Sequence, residues 1–318
     1  MSRRRDAVGR KRHVPASRWS RAGKIAALAG AVAVTVSGCS VDEVLRFGWP
    51  VGVTPEAEQM RELWTWTVLA ALAVGVLVWG LIFWSVAFHR KKKDDDELPR
   101  QFQYNVPLEL FAVVLPTIMV CVLFFFTATT EVSVLAEEED PDVTVDVIAF
   151  QWNWEFRYPD EQTPEGEPVS TVGSSTEIPL LVLPTDKRIQ FNLEATDVIH
   201  SFWVPELLFK RDVMPRPEKN NQDSTFQITS IDKEGAFVGR CAELCGTYHS
   251  VMNFEVRALS PEKYDEYIRL RKQVNPDTQV AYTASEALDE MNCGELCQPF
   301  AVTTRPFATD RTAGSAVG

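Results

Sequence analysis

The chain has 318 residues, 45% of them hydrophobic, with 44 acidic against 32 basic side chains and a formal net charge of −12. That length holds one or two domains. The acidic balance argues against a phosphate-tracking nucleic-acid binder and favours a basic partner met under salt-dependent attraction.

Residues 1–24 carry nine Lys or Arg against Asp6 alone, and an apolar small-residue run at 25–36 leads into VSGC, ending at Cys39. A basic stretch, a short apolar run and small residues before a cysteine predict an export signal of the lipoprotein kind over 1–38, cleaved before Cys39, whose sulfur takes a lipid. An ordinary signal peptide or a true first span is the alternative. Loss of the nine basic residues and one acid takes the charge from −12 to −20. Residues 39–62 read as a linker.

No charge interrupts residues 63–88, and at about 1.5 Å per residue a helix there exceeds a hydrocarbon core of roughly 30 Å. Trp64, Trp66 and Trp84 stand where interfacial aromatics belong. A second span, about 108–130, contains Pro116, which membrane helices tolerate, and closes a two-helix transmembrane hairpin over 63–130. The connecting HRKKKDDDELPR holds five Lys or Arg. Basic residues in short loops set orientation, so this loop is expected in the cytoplasm and everything after residue 131 outside it. The expected location is the plasma membrane, crossed more than once. Glu109, at the cytoplasmic mouth of the second span, is either a functional ionisable group or a first-turn carboxylate matching the helix dipole.

Alternation is strong from 143 to 158, but its parity changes. Val143, Val145 and Val147 fall on one face, and Ile148, Phe150, Trp152, Trp154, Phe156 and Tyr158 on the other, which predicts a bulge or break near Val147. Further alternating runs at 188–193, 225–228, 236–238 and 254–258, separated by turns such as TPEGEP and DKEG, predict an all-β sandwich or barrel within 131–270. In the extension over 271–318 and just before it, Ser260 with Pro261 opens a helix to about Gln273, and Thr283 with Glu286 opens another near 284–291. Beyond Pro299 there is little periodicity, as in a loosely ordered tail.

Of the four histidines, only His200 and His249 fall in the outer domain. Cys241 and Cys245 bracket Glu243, His249 follows four residues later and Met252 three after that. A disulfide between the two cysteines suits an exported domain but leaves His249 and Met252 unexplained. Tetrahedral zinc rarely takes methionine. Thiolate, imidazole and thioether together favour copper, either mononuclear on one cysteine or as two ions bridged by both sulfurs. Core packing for Met252 and sheet aromatics for Trp152 and Trp154 remain the structural alternatives.

The motifs CAELCGTYHSVM, DVIHSFWVP and QWNWEFRY, in that family's order and behind two spans, resemble subunit II of heme-copper cytochrome c oxidases over about residues 60–270. FKRDVMPRP and GAFVGRCAELCGTYH are similar to actinobacterial members. The resemblance implies a cupredoxin-like Greek-key domain and a binuclear copper A centre. His200 and His249 would be its imidazole ligands, Cys241 and Cys245 bridging thiolates, Met252 an axial thioether and Glu243 a backbone carbonyl ligand. The Glu243 carboxylate would join a magnesium or manganese site shared with subunit I. Trp152 would be the electron-input residue and Glu109 the start of a proton pathway in subunit I. Implied partners are subunits I and III, the membrane, and either cytochrome c or the cytochrome c subunit of a quinol-cytochrome c reductase, with no nucleic acid.

Two departures stand out. Where the family often has Trp-Thr after the glutamate of the second span, this chain reads ELFAVVLP, and its DVMPRP replaces a D-x-x-P-G-R loop. Nitrous oxide reductase has a similar copper loop, but with tryptophan in place of Glu243 and without the two-span anchor, and quinol oxidase subunits lack the copper ligands. An exported, membrane-anchored copper-binding or assembly protein is the non-redox alternative. Cys293 and Cys297, in CGELC, lack a following histidine or methionine and read as a disulfide or assembly feature.

Overall fold

The computed structural model describes residues 40–90 and 101–302. The signal, Cys39, most of the basic loop and the end of the tail lie outside the described residues. Helix α1 (Val41–Leu45), capped by Ser40, belongs to a separate unit that ends at Gly48.

Two long helices follow, α2 (Pro55–Phe88) and α3 (Val106–Val134), both long and apolar enough to cross a membrane. Each starts before the apolar run that marks it in the sequence, because caps rather than hydropathy set helix starts. Thr54 Oγ1 accepts from Ala57 N at 3.1 Å with Pro55 in the first turn, and Asn105 Oδ1 accepts from Leu108 N with Pro107 beside it. The 34 residues of α2 span about 51 Å, so its first turns project past a bilayer core of about 30 Å. There Glu56 is buried and accepts from Thr229 N at 3.1 Å and from the Thr229 hydroxyl. The expected linker 39–62 therefore ends in helix, and that helix docks on the β domain.

Ten strands form two five-stranded sheets. One has the order β3 (Pro168–Val172), β2 (Asn153–Gln162), β1 (Val143–Phe150), β5 (Ile189–Ala195), β8 (Thr225–Ile228). The other has β4 (Leu180–Pro184), β10 (Asn253–Leu259), β9 (Gly235–Cys241), β6 (His200–Val204), β7 (Phe209–Val213). Non-sequential neighbours, with β1 parallel to β5 and β10 parallel to β4, give the expected cupredoxin-like Greek-key sandwich. Its core is aromatic: Trp154, Phe156, Phe191, Phe202 and Phe254 pack between the sheets, all buried.

The break expected near Val147 does not occur. β1 pairs with both β2 and β5 without interruption through Val147. The parity change comes from the hairpin itself, since the two-residue turn Gln151–Trp152 places Ala149 opposite Trp154 and Val147 opposite Phe156. Odd residues of β1 and even residues of β2 thus share the core face.

Helices α4 (Pro217–Asn220), α5 (Pro261–Arg271) and α6 (Ala284–Met291) complete the chain order. The α6 start is a full capping box, with Thr283 accepting from Glu286 N and Glu286 accepting from Thr283 N. Residues beyond 270 pack on the same core as the strands: Ala287, Leu288 and Cys297 are buried, and a disulfide joins Cys293 to Cys297.

Candidate metal centre

The site forms at one end of the sandwich, where three segments meet. His200 opens β6, Cys241 closes β9, and the 242–252 loop carries the remaining groups before β10 begins. Pairing of β6 with β9 sets Phe202 opposite Cys241, and Ala242 N donates to Ser201 O at 3.1 Å, so the histidine strand and the cysteine loop are locked in register.

Six donor atoms converge there. Cys241 Sγ lies 3.8 Å from Cys245 Sγ, 3.9 Å from His200 Nδ1 and 3.2 Å from the Glu243 carbonyl oxygen. Cys245 Sγ lies 3.5 Å from His249 Nδ1 and 3.7 Å from Met252 Sδ. The sulfurs are far beyond the roughly 2.05 Å of a disulfide, so both are free thiols, and the ligand atoms of His200, Cys241 and Cys245 all lie within 4.8 Å of one another. His200 and Met252 are fully buried, while the Glu243 side chain points to solvent and only its carbonyl faces the cluster.

The groups behind the donors fix their orientation. His200 Nε2 donates to Asp197 Oδ1 at 2.9 Å, which turns Nδ1 toward Cys241 Sγ. Asp197 also accepts from Gln151 N and Val198 N, both at 2.6 Å. Burial pushes the Asp197 carboxyl up, and these donors outweigh it and hold it below the usual range. Burial likewise pushes the Cys241 thiol up, but hydrogen bonds from His200, the backbone at Glu243 and Ser201, and His249 bring it down to about 6. Cys245 moves the other way, pushed up to about 12 by burial and by the neighbouring Cys241 charge. One thiolate forms readily in the metal-free site and the second resists, as two like charges in one cavity must.

Trp152 is half-buried at the β1–β2 turn. Its Nε1 donates to Cys245 O at 3.1 Å, and its ring meets Tyr248 edge-on with centroids 5.0 Å apart. Gln151 Nε2 donates to the same carbonyl at 2.8 Å. Gly246, at φ +122, lies directly under both side chains; a Cβ would stand 3.1 Å from the indole. Trp154 sits deeper, donating from Nε1 to Met252 O at 3.3 Å with its ring 6.2 Å from that of His200. Sequence reasoning gave no role to Asp197, Gln151 or Tyr248, and it read Trp154 as a sheet aromatic, which its place in the core matches. The signal for Asp197, a carboxylate three residues before a histidine, was visible; the others depend on the turn folding over the loop. Glu109 is remote from the cluster, in the first turn of α3, where it accepts from Asn105 N at 2.9 Å and so closes the cap of its own helix.

Two membrane-length helices and a β-sandwich with a buried thiol–imidazole–thioether cluster define a membrane-anchored protein whose β domain can hold soft metal ions. A family model described as "Cytochrome C oxidase subunit II, periplasmic domain" matches residues 143–259, from the first to the last strand of the sandwich. "Probable cytochrome c oxidase subunit 2" of Nocardia farcinica is 52% identical over 340 residues, covering 90% of this chain and 88% of that protein. "Cytochrome c oxidase subunit 2" of Mycobacterium tuberculosis is 48% identical over 333 residues, covering 90% and 89%. The crystal structure of the periplasmic domain of subunit II of cytochrome oxidase (CoxB) of Bradyrhizobium japonicum is similar over 41% of this chain and 93% of its own, at 24% identity and a TM-score of 0.34. The chain belongs to the cytochrome c oxidase subunit II family. It is a membrane-anchored subunit of an oxidoreductase complex, and its His/Cys/Cys group can bind copper.

Proposed function

We propose that this chain is the electron-input subunit of its oxidase, with the outer domain on the extracytoplasmic side of the plasma membrane. The observation that carries the reading is the convergence of six donors, five of them thiolate, thioether or imidazole, on one point. A pair of copper ions would be held by Cys241, Cys245, His200, His249, Met252 and the Glu243 carbonyl, which leaves no donor of the cluster unused. A single tetrahedral ion would leave two donors idle. A copper pair bound there supplies a one-electron store whose charge is spread over both ions, suited to taking electrons from a cytochrome c and yielding them to the heme of subunit I, where oxygen is reduced to water.

The chain's own residues make that store rigid and dry. Asp197 keeps His200 in one tautomer and one ring orientation. Trp154 holds the Met252 carbonyl, and Trp152 with Gln151 holds that of Cys245, so the loop cannot relax when charge changes. Phe202 and Phe254, packed around Trp154, keep water from beneath. Trp152 and Tyr248 form the outer edge of the site, which suits Trp152 to receive electrons from the donor, either cytochrome c or the cytochrome c subunit of a quinol-cytochrome c reductase. The exposed Glu243 carboxylate is free to join a magnesium or manganese ion shared with subunit I. Subunits I and III are the expected neighbours of the helix pair, and Glu109 is proposed to open a proton pathway into subunit I.

The test is copper content and electron paramagnetic resonance on the detergent-solubilised full chain loaded with copper. Two coppers per chain, with one unpaired electron delocalised over both nuclei and the signal lost in Cys241→Ser, is the expected result. One copper with a mononuclear signal, or zinc preferred over copper, or a Cys241–Cys245 disulfide, would refute the reading in favour of a copper-binding or assembly protein.

A further inference from the structure

At the opposite end of the sandwich, about 25 Å away along the eight residues of β1, lies a second built feature. The start of β1, the end of β2 and the first turn of α5 enclose a cavity of about 210 Å³. Four carboxylates line it, those of Asp142, Asp160, Glu161 and Asp265, against the single ammonium of Lys187. Asp142 is engaged by Lys187 at 3.3 Å and by Arg188 N at 2.9 Å, and Glu161 by Lys272 at 2.7 Å. Asp160 and Asp265 have no side-chain partner among the described residues.

A second observation makes this more than an acidic patch. Tyr264, from α5, is only 7% exposed and lines the cavity, yet its hydroxyl has no hydrogen-bond partner among the described residues. Burial first, then the charges of Glu161, Asp265 and Asp160 among others, push this phenol upward, so the hydroxyl stands within the field of the carboxylates. The ring is buried while the hydroxyl stays open to the cavity, so with no partner among the described residues it bonds with whatever enters there.

The occupant is cationic, and its size is decided by geometry. Metal ions need carboxylate oxygens converging at about 2.3–2.6 Å. Among the described residues, however, the one group bringing three ligand atoms within 4.8 Å of each other is His200, Cys241 and Cys245. The cavity's carboxylates are too spread for one ion and suit a larger cation with several separated donors. A guanidinium offers five donors in a plane, and Pro184, Pro261 and the Tyr264 ring supply apolar surface for it to stack on.

We infer that this cavity is a docking pocket for an arginine side chain of a protein partner, bound by Asp160 and Asp265, with the Tyr264 hydroxyl accepting from the guanidinium. It acts independently of the metal centre, as a charged anchor point at the other end of the domain. An ammonium would use fewer of these acceptors, so the pocket discriminates arginine from lysine.

The test uses the full chain in detergent with 13Cζ-labelled tyrosine, the Tyr264 resonance being assigned by its loss in Tyr264→Phe. Acetyl-arginine-methylamide is expected to shift that resonance saturably and acetyl-lysine-methylamide to bind about tenfold more weakly. Asp160→Asn with Asp265→Asn is expected to abolish the shift while the other tyrosine resonances stay in place, and added salt to weaken it. No saturable shift with the arginine probe, equal response to both probes, a shift that survives the double substitution, or tighter occupation by calcium ion would each overturn the inference.

Discussion

Arg257 offers the sharpest test of how this domain is held together. It and Glu255 are both fully buried on β10, two residues apart and therefore on one face, opposite the aromatic core. Arg257 donates to Glu255, to Leu296 O at 2.6 Å, Gln298 O at 2.9 Å and Phe300 O at 2.7 Å, and Glu255 in turn accepts from Val302 N at 2.8 Å. The pair thus binds the backbone of the segment beyond α6. In Arg257→Met, three carbonyls lose charged donors at about 1.5–3 kcal/mol each, and a buried carboxylate is left alone at about 3–5 kcal/mol. The chain does not bear that sum, because residues 292–302 can lift away and let water reach every orphaned group. The loss should therefore stay near the roughly 3–5 kcal/mol of a broken buried pair, well below the sum. Hydrogen exchange on the detergent-solubilised chain should show residues 296–302 losing protection while β1, β2 and β5 keep theirs, with Tm lowered. The double variant Glu255→Met, Arg257→Met should recover part of the loss, since no lone charge remains. Unchanged protection over 296–302, or a double variant worse than the sum of the singles, would refute the reasoning.

Other consequences follow from the site and the sheets. Asp197→Asn removes the charge that orients His200 and should weaken copper binding by about 10–100-fold, read by competition titration, with the fold unaltered by circular dichroism. In the metal-free, reduced chain, iodoacetamide should alkylate Cys241 with a midpoint near pH 6 and leave Cys245 unreactive far longer. Because the folded value of Cys241 lies below the ordinary thiol value near 9, its contribution to stability is complete above 9 and is lost as pH falls through 6. Cys245, raised to about 12, contributes with the opposite sign, losing stability as pH rises from 9 to 12. Urea titrations of the metal-free chain across this range should give maximum stability near pH 9. Tyr158 is buried and ties the sheets together, its hydroxyl donating to Val182 O at 2.7 Å and accepting from Val182 N at 3.1 Å. Tyr158→Phe should cost about 1–3 kcal/mol in thermal or urea unfolding without changing copper content.

The sequence by itself determined whatever rests on local chemistry. Uncharged runs of membrane length point to helices, Thr283 with Glu286 marks a helix start, and two cysteines, a histidine and a methionine within twelve residues favour soft metal ions. The tertiary structure decided what depends on segments far apart in the chain. His200 meets Cys241 across 41 positions because β6 pairs with β9, and the Trp152 turn reaches the Cys245 carbonyl across 93 because one sheet folds over the other. The alternation at 143–158 was legible, but whether its parity change meant a bulge or a hairpin turn was not, since both shift the pattern by one residue. Glu255 and Arg257 read as the solvent side of a half-buried strand. They are buried because a segment some forty residues later covers that face and satisfies their charges, a relation that no local pattern in the strand encodes.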